Sequence, residues 1–142
     1  MIEWNRKSEV LEWNPAAEKI FGYRRGDVIG HTAVPLLTPH ASLSQVENVM
    51  NQLFQGAGGT HLIIQNITRE GKQIVCEWHN APTIDFNGKV KGVISIVQDI
   101  TDRIQAEEAL RTSAAQLRFA LRAAQLQTWY WDIQNNQIIW SE

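Results

Sequence analysis

The chain begins the same short motif twice. Glu3-Trp4-Asn5 leads to Val10-Leu11-Glu12-Trp13-Asn14, and Tyr130-Trp131-Asp132 leads to Gln137-Ile138-Ile139-Trp140-Ser141. In each copy a Trp preceding Asn or Asp stands nine positions before a second Trp preceding Asn or Ser. The residues between are polar and turn-prone: Asn5, Arg6, Lys7 and Ser8 in one copy, Gln134, Asn135 and Asn136 in the other. Each copy therefore reads as strand, tight turn, strand. Only the first is followed by enough chain to complete a domain. The expectation is a tandem array, with one nearly whole module and the opening of the next.

Composition narrows the class of protein. With 44% hydrophobic and 20% charged residues in 142, the chain fits a globular protein rather than a disordered one. A net charge of −2 gives no reason to expect nucleic acid or an anionic membrane as partner. Apolar runs such as Val93 to Val97 are far too short to span a bilayer, so no membrane contact by this segment is expected. No signal peptide is visible at Met1. The single cysteine, Cys76, excludes an intramolecular disulfide framework and fits a reducing compartment. A cytoplasmic location follows, with a membrane-anchored parent as an alternative.

After two short strands within residues 1–13, Asn14-Pro15 reads as a helix cap and first turn, and Gly22 as its end. Asp27-Val28-Ile29-Gly30 reads as a further helical turn, and Pro35 and Pro39 bracket an irregular stretch. Over residues 42–55, Leu43, Val46, Val49, Met50, Leu53 and Phe54 recur at steps of three and four, an amphipathic helix. Three strands follow, His61–Ile67, Gln73–Ile84 and Val90–Ile100, the last two joined through Asn87-Gly88. The class is α+β: a five-stranded antiparallel sheet with short helices on one face. From Thr101 a helix of about 25 residues begins, capped by Thr101 or Asp102. Leu110, Leu117 and Ala124 lie seven apart, as do Ile100, Glu107, Ala114 and Leu121, which points to a short coiled coil. Arg103 and Glu107 interrupt that seam, and a helix lying back on its own domain is the alternative.

Residues 2–103 resemble the PAS domain family. The resemblance rests on Val10-Leu11-Glu12-Trp13-Asn14-Pro15-Ala16-Ala17-Glu18, Phe21-Gly22-Tyr23, Asp27-Val28-Ile29-Gly30 and Asp99-Ile100-Thr101. It implies the PAS fold over residues 1–101, with a clipped N-terminal edge, and a long C-terminal linker helix over 102–127. Residues 128–142 would then be the first hairpin of a truncated second PAS domain. It also implies a sensory module in a larger bacterial signalling protein, commonly a sensor histidine kinase or a cyclic-dinucleotide enzyme. No phosphoacceptor, ATP-site or cyclase-type motif occurs in this segment, so no catalytic residue and no enzymatic activity of its own are expected.

Family members often hold a small molecule between helices and sheet. Cysteinyl-flavin photochemistry would need a cysteine where this chain has Ala33. The family's flavin-binding Asn and Gln align with Cys76 and Val97. Oxygen-sensing haem members use a His about seven residues after a Leu-x-Pro, and Leu37-Thr38-Pro39 leads instead to Val46. His31, His40, His61 and His79 are scattered without ligand spacing, so no metal site is predicted, and His40 or His31 is the only haem alternative. The cofactor is left as unknown, and none is among the readings.

Alternation on the second of the three strands puts Ile74, Cys76, Trp78 and Asn80 on one face and Val75, Glu77 and His79 on the other. The expected pocket comprises Met50, Leu53, Phe54, Ile64, Cys76, Trp78, Asn80, Val93, Ser95 and Val97. Three occupants stay open: Trp78 itself filling a closed core, a small apolar or aromatic ligand, or a non-covalent flavin. Cys76 is read as an inert buried thiol rather than a redox sensor.

The expected signal junction is Asp99, Ile100, Thr101 and Arg103. In the family the Asp and Thr of this motif fix the last strand to the output helix, and here Arg103 is placed to pair with Asp99. A sensory relay from pocket or sheet face to the helix is the leading functional expectation. A ligand-free dimerisation or spacer module in a tandem PAS array is the alternative. The expected partners are a second copy, through the linker helix and the outer sheet face at Val75, Ile94, Ile96 and Gln98, and adjacent PAS and output domains.

Overall fold

The computed structural model describes residues 1–125 and 128–140. The expected linker (102–127) and second hairpin (128–142) thus each include positions, 126, 127, 141 and 142, that lie outside the described residues. The chain divides into a unit of residues 1–101 and a unit of residues 102–142.

In the first unit, β1 (Ile2–Asn5) and β2 (Val10–Trp13) form a hairpin. The Asn5 side chain organises its turn, its Oδ1 accepting from the N–H groups of Lys7 at 2.9 Å and Glu9 at 3.0 Å. Helix α1 (Pro15–Phe21) follows from its caps as expected. Asn14 Oδ1 accepts from the Ala17 N–H, Pro15 occupies the first turn, and Gly22 closes the helix at φ +81°. Helix α2 (Arg25–Val28) is a single turn. The stretch between Pro35 and Pro39, expected to be irregular, contains a helical turn, α3 (Val34–Leu37). Pro35 there sits in the first turn, where its missing N–H has no helical partner to lose. The amphipathic helix appears as α4 (Leu43–Phe54), burying Met50 and Leu53.

The remaining strands are β3 (Thr60–Ile67), β4 (Gln73–Ile84) and β5 (Val90–Asp99). All neighbours are antiparallel and the order is β2-β1-β5-β4-β3. The β1–β2 hairpin thus docks on the last strand, not on the next in sequence. The free side of β2 is covered by residues 29–32, with Val10 N–H donating to His31 O and Gly30 N–H to Val10 O. The strand alternation divides the faces as read from sequence. Ile74, Cys76, Trp78, Asn80, Val93, Ser95 and Val97 are buried, while His79, Ile96 and Gln98 are exposed. Ile2, Trp4, Trp13 and Phe21 complete the core from the N-terminal end.

The second unit is helix α5 (Thr101–Ala123), which begins on the last residue of the first, and a hairpin of β6 (Trp129–Asp132) and β7 (Gln137–Trp140). Helix α5 buries no residue, and Leu110 and Leu117 are 72% and 61% exposed. The hairpin repeats the device of the first. Asp132 Oδ1 accepts from the N–H groups of Gln134 at 3.1 Å and Asn135 at 3.3 Å, in the position that Asn5 holds. No helix among the described residues is long and apolar enough to cross a membrane.

Candidate functional site

Between the helices and the inner sheet face lies a cavity of about 40 Å³. Helices α3 and α4 wall one side with Leu37, Val46, Val49 and Met50, and the sheet walls the other with Trp4, Ile64, Trp78 and Ser95. That volume holds about two or three waters. Pockets for cofactor-sized molecules run to about 300–1,000 Å³. Of the expected pocket residues, Met50, Ile64, Trp78, Asn80 and Ser95 line the cavity. Leu53, Phe54, Cys76, Val93 and Val97 do not, a correction to the sequence reading. Leu53, Cys76, Val93 and Val97 are buried in the close-packed core and Phe54 packs partly buried against it. Alternation says which face a side chain takes, not whether its neighbours leave a gap beside it.

The polar groups at the cavity form two sets. In one, Trp4 Nε1–H donates to Ser95 Oγ at 3.0 Å, the Ser95 hydroxyl donates to Asn80 Oδ1 at 2.6 Å, and Asn80 Nδ2 donates to Thr60 Oγ1 at 3.2 Å. These residues stand on β1, β5, β4 and β3, so the string crosses four adjacent strands. In the other, Trp78 Nε1–H donates to Asn66 Oδ1 and Asn66 Nδ2 donates to Leu37 O, each at 2.9 Å. Asn66 therefore ties β4 and α3 together. Trp78 also stacks on Phe21, with ring centroids 5.9 Å apart. Among the described residues no buried side-chain nitrogen or oxygen lacks a partner. The expected pocket left out the polar or sheet residues Trp4, Thr38, Leu62 and Asn66 and the helix-side residues Val34, Leu37, Val46 and Val49. Asn66 shares the inward phase of Ile64 on β3, the one signal that pointed to it.

The fit of the family's cofactors can be judged on these residues. Ala33 is fully buried and offers no nucleophile, Val46 lines the cavity with an alkyl group that cannot ligate iron, and the volume is an order of magnitude too small for either group. Neither flavin nor haem suits the site.

Cys76 is fully buried opposite Asp99 of β5. Burial, and secondarily the Asp99 carboxylate, push its thiol from the ordinary 9.0 up to about 12. A raised value means that the unfolded chain releases its proton first. The contribution is fully present below about pH 9 and is lost as pH rises toward about 12, at up to about 1.4 kcal/mol per pH unit. Urea unfolding at pH 8 and pH 10 should show wild type losing stability more steeply than Cys76→Ala. Equal losses would refute the assignment.

At the same end of β5, the expected junction is built mainly from Thr101. Its N–H donates to Asp99 Oδ1 at 2.9 Å, and its hydroxyl also donates to that oxygen. The same hydroxyl accepts from the Val75 N–H at 2.9 Å, while Ile100 N–H donates to Val75 O at 2.9 Å. Ile100 is buried. Arg103 is exposed, and the Asp99 carboxylate accepts from Thr101, two residues away.

A protein-family model described as the PAS fold matches residues 1–100. Over 122 residues the chain is 26% identical to the sensor histidine kinase TmoS of Ectopseudomonas mendocina. That match covers 83% of this chain, which spans 12% of the relative's length. Among solved structures the chain is similar to the PAS domain of a Colwellia psychrerythraea protein. The TM-score is 0.66 at 20% identity, covering 71% of this chain and 85% of that one. It is also similar to a sensory box histidine kinase/response regulator of Burkholderia thailandensis, with a TM-score of 0.60 at 21% identity and coverage of 82% and 88%. At those identities the likeness speaks to the fold.

Proposed function

The chain belongs to the PAS family, and on that premise we propose that it is the sensory, signal-relaying module of a cytoplasmic sensor histidine kinase, followed by the start of a second PAS domain. A change at the sheet face or in the cavity alters how the end of β5 holds the first turn of α5. That helix, paired with its copy in a homodimer, passes the change to the next module. The segment itself carries no chemistry, and phosphotransfer belongs to other domains of the parent.

The observation that carries this reading is the double engagement of Thr101. One hydroxyl joins the β4 backbone, the carboxylate ending β5 and the first residue of α5. A displacement of either strand is therefore felt at the helix start. Leu110 and Leu117, exposed and seven apart on α5, supply an apolar stripe for pairing.

Sedimentation of chains 1–142 and 1–102 tests the assembly, with a dimer expected only for the longer. Monomers for both at tens of micromolar would sink the coiled-coil relay. Thr101→Val keeps the shape but strands the Val75 N–H, at an expected cost of about 1–3 kcal/mol. It should also speed hydrogen exchange in the first turn of α5, and unchanged exchange there would remove the junction from the mechanism.

The cavity volume favours a second reading, a ligand-free dimerisation or spacer module. Native mass spectrometry with visible absorbance separates the two, since a bound molecule on purified chain would exclude the spacer.

A further inference from the structure

Outside the cavity, the antiparallel register sets His61 of β3 opposite His79 of β4 on the outer sheet face. Their rings stack with centroids 4.6 Å apart and planes 18° from parallel. Glu77 precedes His79 by two residues and so shares its face. Its carboxylate spans the pair, with Oε2 2.9 Å from His61 Nε2 and Oε1 3.8 Å from His79 Nε2. One ligand atom from each of the three residues lies within 4.8 Å of the others. The separate histidines of the sequence reading are thus brought together by strand pairing, which spacing along the chain does not reveal.

The geometry points to a site for a divalent transition-metal ion, held by His61, His79 and Glu77. Bonds of about 2.0–2.2 Å in a tetrahedral shell put ligand atoms about 3.3 Å apart. The observed 2.9 and 3.8 Å straddle that spacing, so small side-chain rotations suffice. Two imidazoles and one carboxylate leave a fourth position for water, a donor set suited to Zn²⁺, Co²⁺ or Ni²⁺ rather than to Ca²⁺ or Mg²⁺. All three residues stand on two paired strands, which fixes their backbones before any ion arrives. Both histidines are more than half exposed, so entry needs no opening. The inference is independent of the relay reading and of the cavity.

The test is calorimetric titration of the full chain with Zn²⁺. One ion per chain is expected to bind saturably in the micromolar range. His61→Gln, His79→Gln and Glu77→Gln should each weaken it by at least about tenfold, while His31→Gln and His40→Gln leave it unchanged. These side chains are not in the core, so the variants should keep the wild-type circular dichroism. Co²⁺ in place of Zn²⁺ should give the intense visible bands of tetrahedral coordination. Absence of saturable binding, or binding that survives all three substitutions, would overturn the site.

Discussion

Gly92→Ala is expected to unseat the N-terminal hairpin from the sheet, at a cost of at least about 3 kcal/mol. A methyl group at this position would overlap the carbonyl oxygen of Trp4 on the adjoining strand and come within 3.2 Å of Thr83 Oγ1. The obstacle on one side is backbone, which cannot rotate away as a side chain would. Relief requires β1 to move off β5, breaking the register that sets Trp4 opposite Val93 and Asn5 opposite Gly92. Such movement also pulls the Trp4 indole from Ser95, so the hydrogen-bonded string across the strands loses its first member. For a domain of about 100 residues with about 5–15 kcal/mol in total, that loss is a large fraction. Urea unfolding measures it, and hydrogen exchange should show the β1 amides losing protection before those of β4. A loss under about 1 kcal/mol would mean that the strands separate with little resistance.

Trp78→Ala should destabilise the fold by about 3–5 kcal/mol from the lost side chain alone. Asn66 Oδ1 then loses its donor while remaining buried, which adds about 1–3 kcal/mol unless water enters. The same substitution merges the space of an indole with the existing cavity of about 40 Å³. Free indole should therefore bind the variant and raise its unfolding midpoint, and do neither to wild type. This outcome would identify Trp78 as the side chain that fills the space between the helices and the sheet. Indole binding equally to both proteins, or to neither, would count against it.

Much of the fold could be read along the chain because its signals are local. Asn14, Pro15 and Gly22 bound α1 through caps that need no distant partner, and alternation alone separates Trp78 from His79. Cavity membership is not local. Leu53 and Met50 share the α4 stripe, yet only Met50 borders a gap, since a gap arises where facing side chains fail to fill space. Nor does sequence reveal that Asn66 would meet both Trp78 and Leu37, because those contacts follow from strand register and from the unexpected turn α3. The three residues His61, Glu77 and His79 escaped notice for the same reason, lying sixteen and two positions apart yet in contact across a ladder.

The twin hairpins also make the molecule optically heterogeneous. Of six tryptophans, Trp4, Trp13 and Trp78 are at most 7% exposed, whereas Trp129, Trp131 and Trp140 are 57–63% exposed. Intrinsic fluorescence is thus the sum of a blue, quencher-resistant population and a red, acrylamide-accessible one, in equal numbers. Anything that covers the C-terminal hairpin would shift only the red component. The chain thereby carries its own label-free reporter of assembly, with the buried indoles as internal standard.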